Sequence, residues 1–142
     1  MVVGEGGRPS RARVLQPRVE MWEISTETVV AAAHRLRHTS GEGERLHGHN
    51  WRIRAVVRAT ALDATGWVLD FNHVAAELRA LVEPYEHVFL NDVPPFDDLN
   101  PTAENLARVV ADGLGAKLDD ERVRVVRVDV WENDACCATY TR

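Results

Sequence analysis

Glu44-Arg45-Leu46-His47-Gly48-His49-Asn50-Trp51-Arg52-Ile53-Arg54-Ala55-Val56-Val57-Arg58 is the stretch on which the fold turns. Side chains of an extended strand alternate between two faces, so His47 and His49 project to one side. Trp51, Ile53, Ala55 and Val57 continue that side, while Asn50, Arg52, Arg54 and Arg58 occupy the other. The spacing therefore predicts a strand over about residues 46–60 with one buried and one largely charged face. Two imidazoles entering a buried face at a strand end are suited to hold a metal ion such as zinc. On spacing alone the pair is also compatible with surface or core histidines.

Upstream, Ile24, Thr26, Thr28, Val30, Ala32 and His34 share one face of a predicted strand over 21–34, which puts a third histidine at a strand end. Three protein ligands with one open position are what a catalytic zinc requires. Residues 35–46 are polar, contain two glycines, and predict a loop. Downstream, residues 61–66 read as a turn and 67–71 as a short return strand. A first helix follows, with Asp70 as its cap, Phe71, Val74, Ala75, Leu78, Leu81 and Val82 as its apolar stripe, and Pro84 as its end. Asn100-Pro101 is expected to open a second helix, with Pro101 at its first position and Gly113 and Gly115 letting it stop. Its apolar stripe is Ala103, Leu106, Ala107, Val110, Ala111 and Leu114. Residues 122–132 predict a long strand whose alternation slips at Val125-Val126, a sign of a bulge or of burial on both faces, and 137–141 a short terminal one. The resulting class is α+β, an antiparallel sheet with two helices packed on one face.

At 142 residues, 45% hydrophobic and 27% charged, the chain suits one globular domain over residues 21–142. Residues 1–20, rich in Gly, Pro and Arg and without the apolar core of a signal peptide, are expected to form a flexible arm. The net charge of -5 argues against nucleic acid as a default partner, and no apolar run is long enough for a bilayer. The two cysteines, Cys136 and Cys137, are adjacent, which fits a reducing, cytoplasmic setting and buried, inert thiols better than a disulfide.

Several blocks then fall in a familiar order. Ala31-Ala-Ala-His34-Arg-Leu, His47-Gly-His49, Gly66-Trp-Val-Leu-Asp-Phe71, His87 before Leu90-Asn91, Pro101-Thr-Ala-Glu104-Asn, and a late strand carrying Glu132 together resemble the 6-pyruvoyltetrahydropterin synthase / 6-carboxytetrahydropterin synthase family. The resemblance spans about residues 21–142. It implies a T-fold (tunnelling fold) assembled into homo-oligomers, trimers or hexamers, with sites between subunits. It also implies zinc on His34, His47 and His49, and 7,8-dihydroneopterin triphosphate as substrate. Glu132 would anchor the pterin ring, with Thr102 and Glu104 nearby, although helix capping and the helix dipole explain those two residues equally well.

Two departures from the family pattern bear on activity. The usual catalytic cysteine, four positions before the first histidine of His-Gly-His, is Gly43 in this chain. One residue later stands Glu44, giving Glu-X-X-His-Gly-His, which resembles a variant branch in which glutamate is the base and the product is 6-hydroxymethyl-7,8-dihydropterin. Glu44 also reads as a solvated loop residue. The family's Leu-Asp-His proton relay is Tyr85-Glu86-His87, with the acid one methylene longer. Without the resemblance, His87 would read as a packed core histidine. The 6-carboxy product of the queuosine (7-deazaguanine) route is the other activity implied, beside a retuned, non-pterin substrate or a non-catalytic zinc-binding subunit.

Overall fold

The computed structural model describes residues 20–38, 40 and 43–142, so the expected arm over 1–20 lies almost wholly outside the described residues. Four strands, β1 (Trp22–His34), β2 (His47–Ala59), β3 (Val123–Asn133) and β4 (Cys136–Thr141), form one antiparallel sheet in the order β1-β2-β3-β4. Helices α1 (Phe71–Val82) and α2 (Ala103–Leu118) lie between β2 and β3 in sequence. Both pack on the same face of the sheet. Trp51, Ile53, Ala55 and Val57 of β2 meet Val74, Leu78, Leu106, Val110 and Leu114 of the helices in the core. The opposite face is polar, with Glu27–Arg54 and Glu23–Arg58 ion pairs and the Arg52 guanidinium 4.4 Å from the centre of the Trp131 ring.

The alternation predicted for β1 and β2 sets their register. Cross-strand partners include Val30 with Trp51, Ala32 with His49 and His34 with His47. The slip at Val125-Val126 is a bulge: Val56 pairs with Arg127 and Val57 with Val125, so Val126 has no partner of its own. The extra residue resets the phase, and Val123, Val125, Val128 and Val130 are all buried.

Residues 67–71 are not a strand. The Asp63 carboxylate accepts from the N–H groups of Thr65 and Trp67, and Gly66 adopts φ 84°, which closes a tight loop. The Arg122 guanidinium takes the carbonyls of Ala61 and Val68, which a return strand would have needed for its ladder. The cap at Asp70 is as expected, its side chain accepting from the N–H of Asn72 at 2.8 Å. Phe71 is 57% exposed and leaves the buried stripe to Val74, Leu78 and Val82.

Helix α2 also differs from expectation at both ends. Its cap is Thr102, whose hydroxyl accepts from the N–H of Asn105, so Pro101 precedes the cap and does not occupy the first turn. The helix runs through Gly113 and Gly115 to Leu118, because these glycines serve packing. A Cβ on Gly113 would lie 2.9 Å from Leu81 Cδ1, and one on Gly115 would collide with the Arg142 guanidinium. Gly113→Val is therefore expected to destabilise the fold by about 1–3 kcal/mol through overpacking at the α1–α2 contact. Urea unfolding measures it, and an unchanged midpoint would mean that Leu81 moves aside freely.

A candidate metal centre and its flanking cavities

The hairpin register brings three histidines to one end of the buried face. His34 closes β1, His47 opens β2 opposite it, and His49 follows two residues later on the same side. His34 is 1% exposed. Its ring stands edge-on to those of His47 and His49, with centroids 4.5 and 5.1 Å away. Trp51 forms the floor beneath, 4.8 Å from His34 and 5.0 Å from His49, and is held by its indole N–H donating to the Ala32 carbonyl at 3.2 Å. One ligand atom from each histidine lies within 4.8 Å of the others, so the three could hold a metal ion.

The hydrogen bonds favour that occupant. His34 Nδ1 lies 2.8 Å from the Pro101 carbonyl and His47 Nδ1 lies 2.8 Å from the Arg45 carbonyl. A carbonyl accepts only, so each Nδ1 carries a proton and leaves its Nε2 as the atom available to a ligand. Those two Nε2 atoms face each other at 3.0 Å. A shared proton or a metal ion between them satisfies both nitrogens, and Zn–N bonds of about 2.0–2.1 Å in a tetrahedron place neighbouring nitrogens about 3.3 Å apart. His49 Nε2 is buried without a partner. Burial lowers the His49 pKa below its ordinary value, against the Glu132 carboxylate that raises it, and keeps the ring in the neutral, ligating form.

The carbonyls behind His34 and His47 orient the rings, and nothing in the sequence pattern announces a main-chain partner. A strap supports them. Asn91 clamps the backbone of Arg35, accepting from its N–H at 2.9 Å and donating to its carbonyl at 2.8 Å, and Asn100 does the same to Arg37 at 2.9 and 3.1 Å. The Arg37 guanidinium donates to the carbonyls of Phe96, Asp97 and Leu99. Residues 96–101 are thereby fixed against the chain that follows His34.

The other candidate residues surround this centre. Glu44 is exposed, with its carboxylate 3.9 Å from Nδ1 of His47, on the ring edge away from Nε2, and it is not among the residues lining the two flanking cavities. Its neighbour Gly43 packs against the methylenes of Arg35, 3.5 Å from where a Cβ would lie.

Residues 86–89 lie along the free edge of β1. His87 N–H donates to the Ala31 carbonyl at 2.7 Å, and Ala33 N–H donates to that of Val88 at 2.9 Å. Glu86 accepts from Ala31 N–H at 3.3 Å, and its other oxygen lies 3.1 Å from His87 Nε2. His87 adopts φ 56°, a left-handed conformation uncommon for a residue with a Cβ, and its side chain is 79% exposed, so it is not a core residue. It shares a 560 Å³ cavity with His49 and Asn50.

A second cavity, of 550 Å³, is lined by Leu36, Thr102, Glu104 and Glu132 with Cys136 and Cys137. It brings the three proposed pterin-contacting residues together, and Glu132 is close enough to His49 to influence its proton. Thr102 is at the same time the helix cap. The cysteines correct the sequence reading: both are exposed, because they open β4 just after the hairpin turn, where no described element covers them. His38 and His73 are exposed and lie apart, on a loop and on the surface of α1.

A family model described as 6-pyruvoyl tetrahydropterin synthase matches residues 23–142. The 6-carboxy-5,6,7,8-tetrahydropterin synthase of Synechocystis sp. is 36% identical over 126 residues, covering 84% of this chain and 93% of that protein. Its counterpart from Aquifex aeolicus is 30% identical over 157 residues, covering 84% and 97%. Among solved structures, the 6-pyruvoyl tetrahydropterin synthase of Caenorhabditis elegans matches with a TM-score of 0.75 at 21% identity, over 89% of this chain and 99% of that one. Two structures of the Plasmodium vivax 6-pyruvoyltetrahydropterin synthase match with TM-scores of 0.70 and 0.71 at 18% and 19% identity, over 87% of this chain and 98% of theirs; in them a glutamate described as a catalytic residue is replaced by alanine or cysteine. At these identities the structural likeness is one of fold.

Proposed function

The chain belongs to the 6-pyruvoyl tetrahydropterin synthase family, and from this we propose that it is a zinc-dependent lyase acting on 7,8-dihydroneopterin triphosphate, with Glu44 as its base. One observation carries the reading. Three imidazoles converge at one end of the buried face, two of their Nε2 atoms 3.0 Å apart, beside a cavity that holds a carboxylate suited to the pterin ring. His34, His47 and His49 would hold the ion. Zinc bound there supplies Lewis acidity that lowers the pKa of a hydroxyl on the substrate side chain.

The remaining steps belong to this chain's own side chains. Glu132 accepts the adjacent N–H donors of the pterin pyrimidine edge as a bidentate pair and fixes the ring in the 550 Å³ cavity, beside Thr102 and Glu104. Glu44 takes the hydroxyl proton, and the side-chain carbon–carbon bond breaks in a retro-aldol step: the outer two carbons leave as an aldehyde carrying the triphosphate, and the ring-side carbon, once protonated, gives 6-hydroxymethyl-7,8-dihydropterin. Glu86 orients His87, which returns a proton from the neighbouring cavity. A glutamate in place of the usual cysteine has a parallel in the Plasmodium vivax enzyme, where a glutamate is described as catalytic. A second reading, formation of the 6-carboxy product, is favoured by the names of the curated relatives at 30–36% identity. The working form we propose is a cytoplasmic homo-oligomer, a trimer or hexamer.

Incubating zinc-loaded protein with 7,8-dihydroneopterin triphosphate and identifying the product by mass spectrometry decides among these. The hydroxymethyl pterin supports Glu44-driven cleavage, and the carboxy pterin supports the second reading. No turnover despite bound zinc points to a retuned substrate or a non-catalytic subunit. Glu132→Ala is expected to weaken pterin binding by about 10²-fold or more, the loss of two charge-assisted hydrogen bonds, with zinc content unchanged. Fluorescence titration with neopterin measures this, and retained affinity would favour a non-pterin substrate.

A further inference from the structure

Just beyond His34 the chain leaves β1 and lies along the segment 96–101, and Arg37 is where the two are fastened. Asn100 grips its backbone on both sides, accepting from the N–H and donating to the carbonyl. The Arg37 guanidinium reaches the other way. It donates to the carbonyls of Phe96 at 2.9 Å, Asp97 at 3.0 Å and Leu99 at 3.0 Å, and approaches that of Asp98 at 3.5 Å. The segment has a fixed foot, since Phe96 is fully buried and its ring packs edge-on to Tyr85 with centroids 5.3 Å apart. Its other end is Pro101, whose carbonyl orients His34. Leu36 and Thr102, the chain neighbours of Arg37 and Pro101, both line the 550 Å³ cavity. Arg37 itself belongs neither to that cavity's lining nor to the histidine cluster.

We propose that Arg37 is a positioning residue that sets, through this one segment, both the direction of His34 toward the metal and the spacing of the cavity walls at Leu36 and Thr102. The first half rests on the metal assignment made above, the second on the assignment of the cavity to the pterin. A guanidinium suits the task because its planar fork of N–H donors can serve several carbonyls of one turn at once. A lysine ammonium is a point charge and cannot span them. Charge is not the agent. A cation near a metal site repels the ion, so removing one on electrostatic grounds alone would strengthen metal binding. Loss of position has the opposite sign, since an imidazole released from its carbonyl partner loses its fixed tautomer and orientation.

The test measures cobalt(II) affinity with its d–d spectrum, and then neopterin affinity by fluorescence, on the full-length protein and on Arg37→Lys and Arg37→Ala. Both variants are expected to bind cobalt about tenfold more weakly, with an altered d–d band, and neopterin about threefold more weakly. Gly113→Val is the control for stability alone, because its clash lies at the α1–α2 contact. It is expected to unfold earlier in urea and to keep both affinities. Arg37 variants that unfold earlier but bind cobalt as the parent does would make the residue merely structural and overturn the proposal. Tighter cobalt binding by Arg37→Ala, or parent-like binding by Arg37→Lys beside a loss in Arg37→Ala, would make charge the agent and overturn it too. A cobalt loss with neopterin affinity intact would overturn the half that concerns the cavity. Should the parent bind cobalt but no neopterin, the pterin assignment falls together with that half, while the cobalt readings still decide the role at His34. A parent that binds no cobalt refutes the metal assignment and takes the proposal at His34 with it.

Discussion

His34→Ala is expected to reduce bound zinc from one equivalent per chain to a trace. The variant removes the most buried of the three imidazoles and leaves the Pro101 carbonyl without its donor. Two remaining histidines cannot supply the three ligands of a zinc site with an open position. The fold is destabilised by about 2–4 kcal/mol through the lost packing against Trp51 and the unpaired carbonyl. Elemental analysis after dialysis gives the stoichiometry, and the d–d spectrum of a cobalt-substituted sample reports ligand number. His38→Ala is the control, since that ring is exposed on a loop and should leave both readings untouched. A variant at His34 that still carries one tightly held zinc would refute the assignment of the centre.

The second large effect is expected at Glu44. Glu44→Gln keeps the size of the side chain and its place beside His47 but removes its capacity to accept a proton. Turnover should fall about 10²- to 10⁴-fold, the usual contribution of a positioned base. Zinc content and neopterin affinity should stay as in the parent protein, because the Nδ1 of His47 is already engaged by the Arg45 carbonyl and Glu44 lies 3.9 Å from it. A kcat loss without a change in KM separates this from a disturbed metal site. Unchanged turnover would return Glu44 to the status of a solvated loop residue.

The readable parts of this chain are those where periodicity and burial coincide. Alternation in β1 and β2 was enough to bring His34, His47 and His49 to one face, since a hairpin register fixes which side chains meet. The bulge at Val126 was legible for the same reason, as a break in that alternation. Misreadings arose where a distant partner overrides a local signal. Trp67–Phe71 has the apolar content of a strand, but its carbonyls are claimed by Arg122, more than fifty residues away in the chain. Gly113 and Gly115 resemble stop signals and instead make room for Leu81 and Arg142. Pro101 resembles a helix opener, yet its contribution is the carbonyl that steers His34. The thiols at 136 and 137 were expected inside, where small apolar side chains usually go, and a two-residue turn left them outside. No pattern of residue types reports which side-chain amide will grip which main-chain group.

The grip of Asn91 and Asn100 on the strap has a consequence for how the protein ages. Each amide is used at both ends, its oxygen accepting and its nitrogen donating. Loss of ammonia would turn the donor into a second acceptor and set a carboxylate against the carbonyl of Arg35 or Arg37, prying open the segment behind the first histidine. Asn100 is shielded from the usual route, because cyclisation requires the next backbone nitrogen to carry a hydrogen and Pro101 has none. Asn91 is followed by Asp92 and has no such shield, so slow deamidation on storage would disturb the histidine cluster through position 91 first.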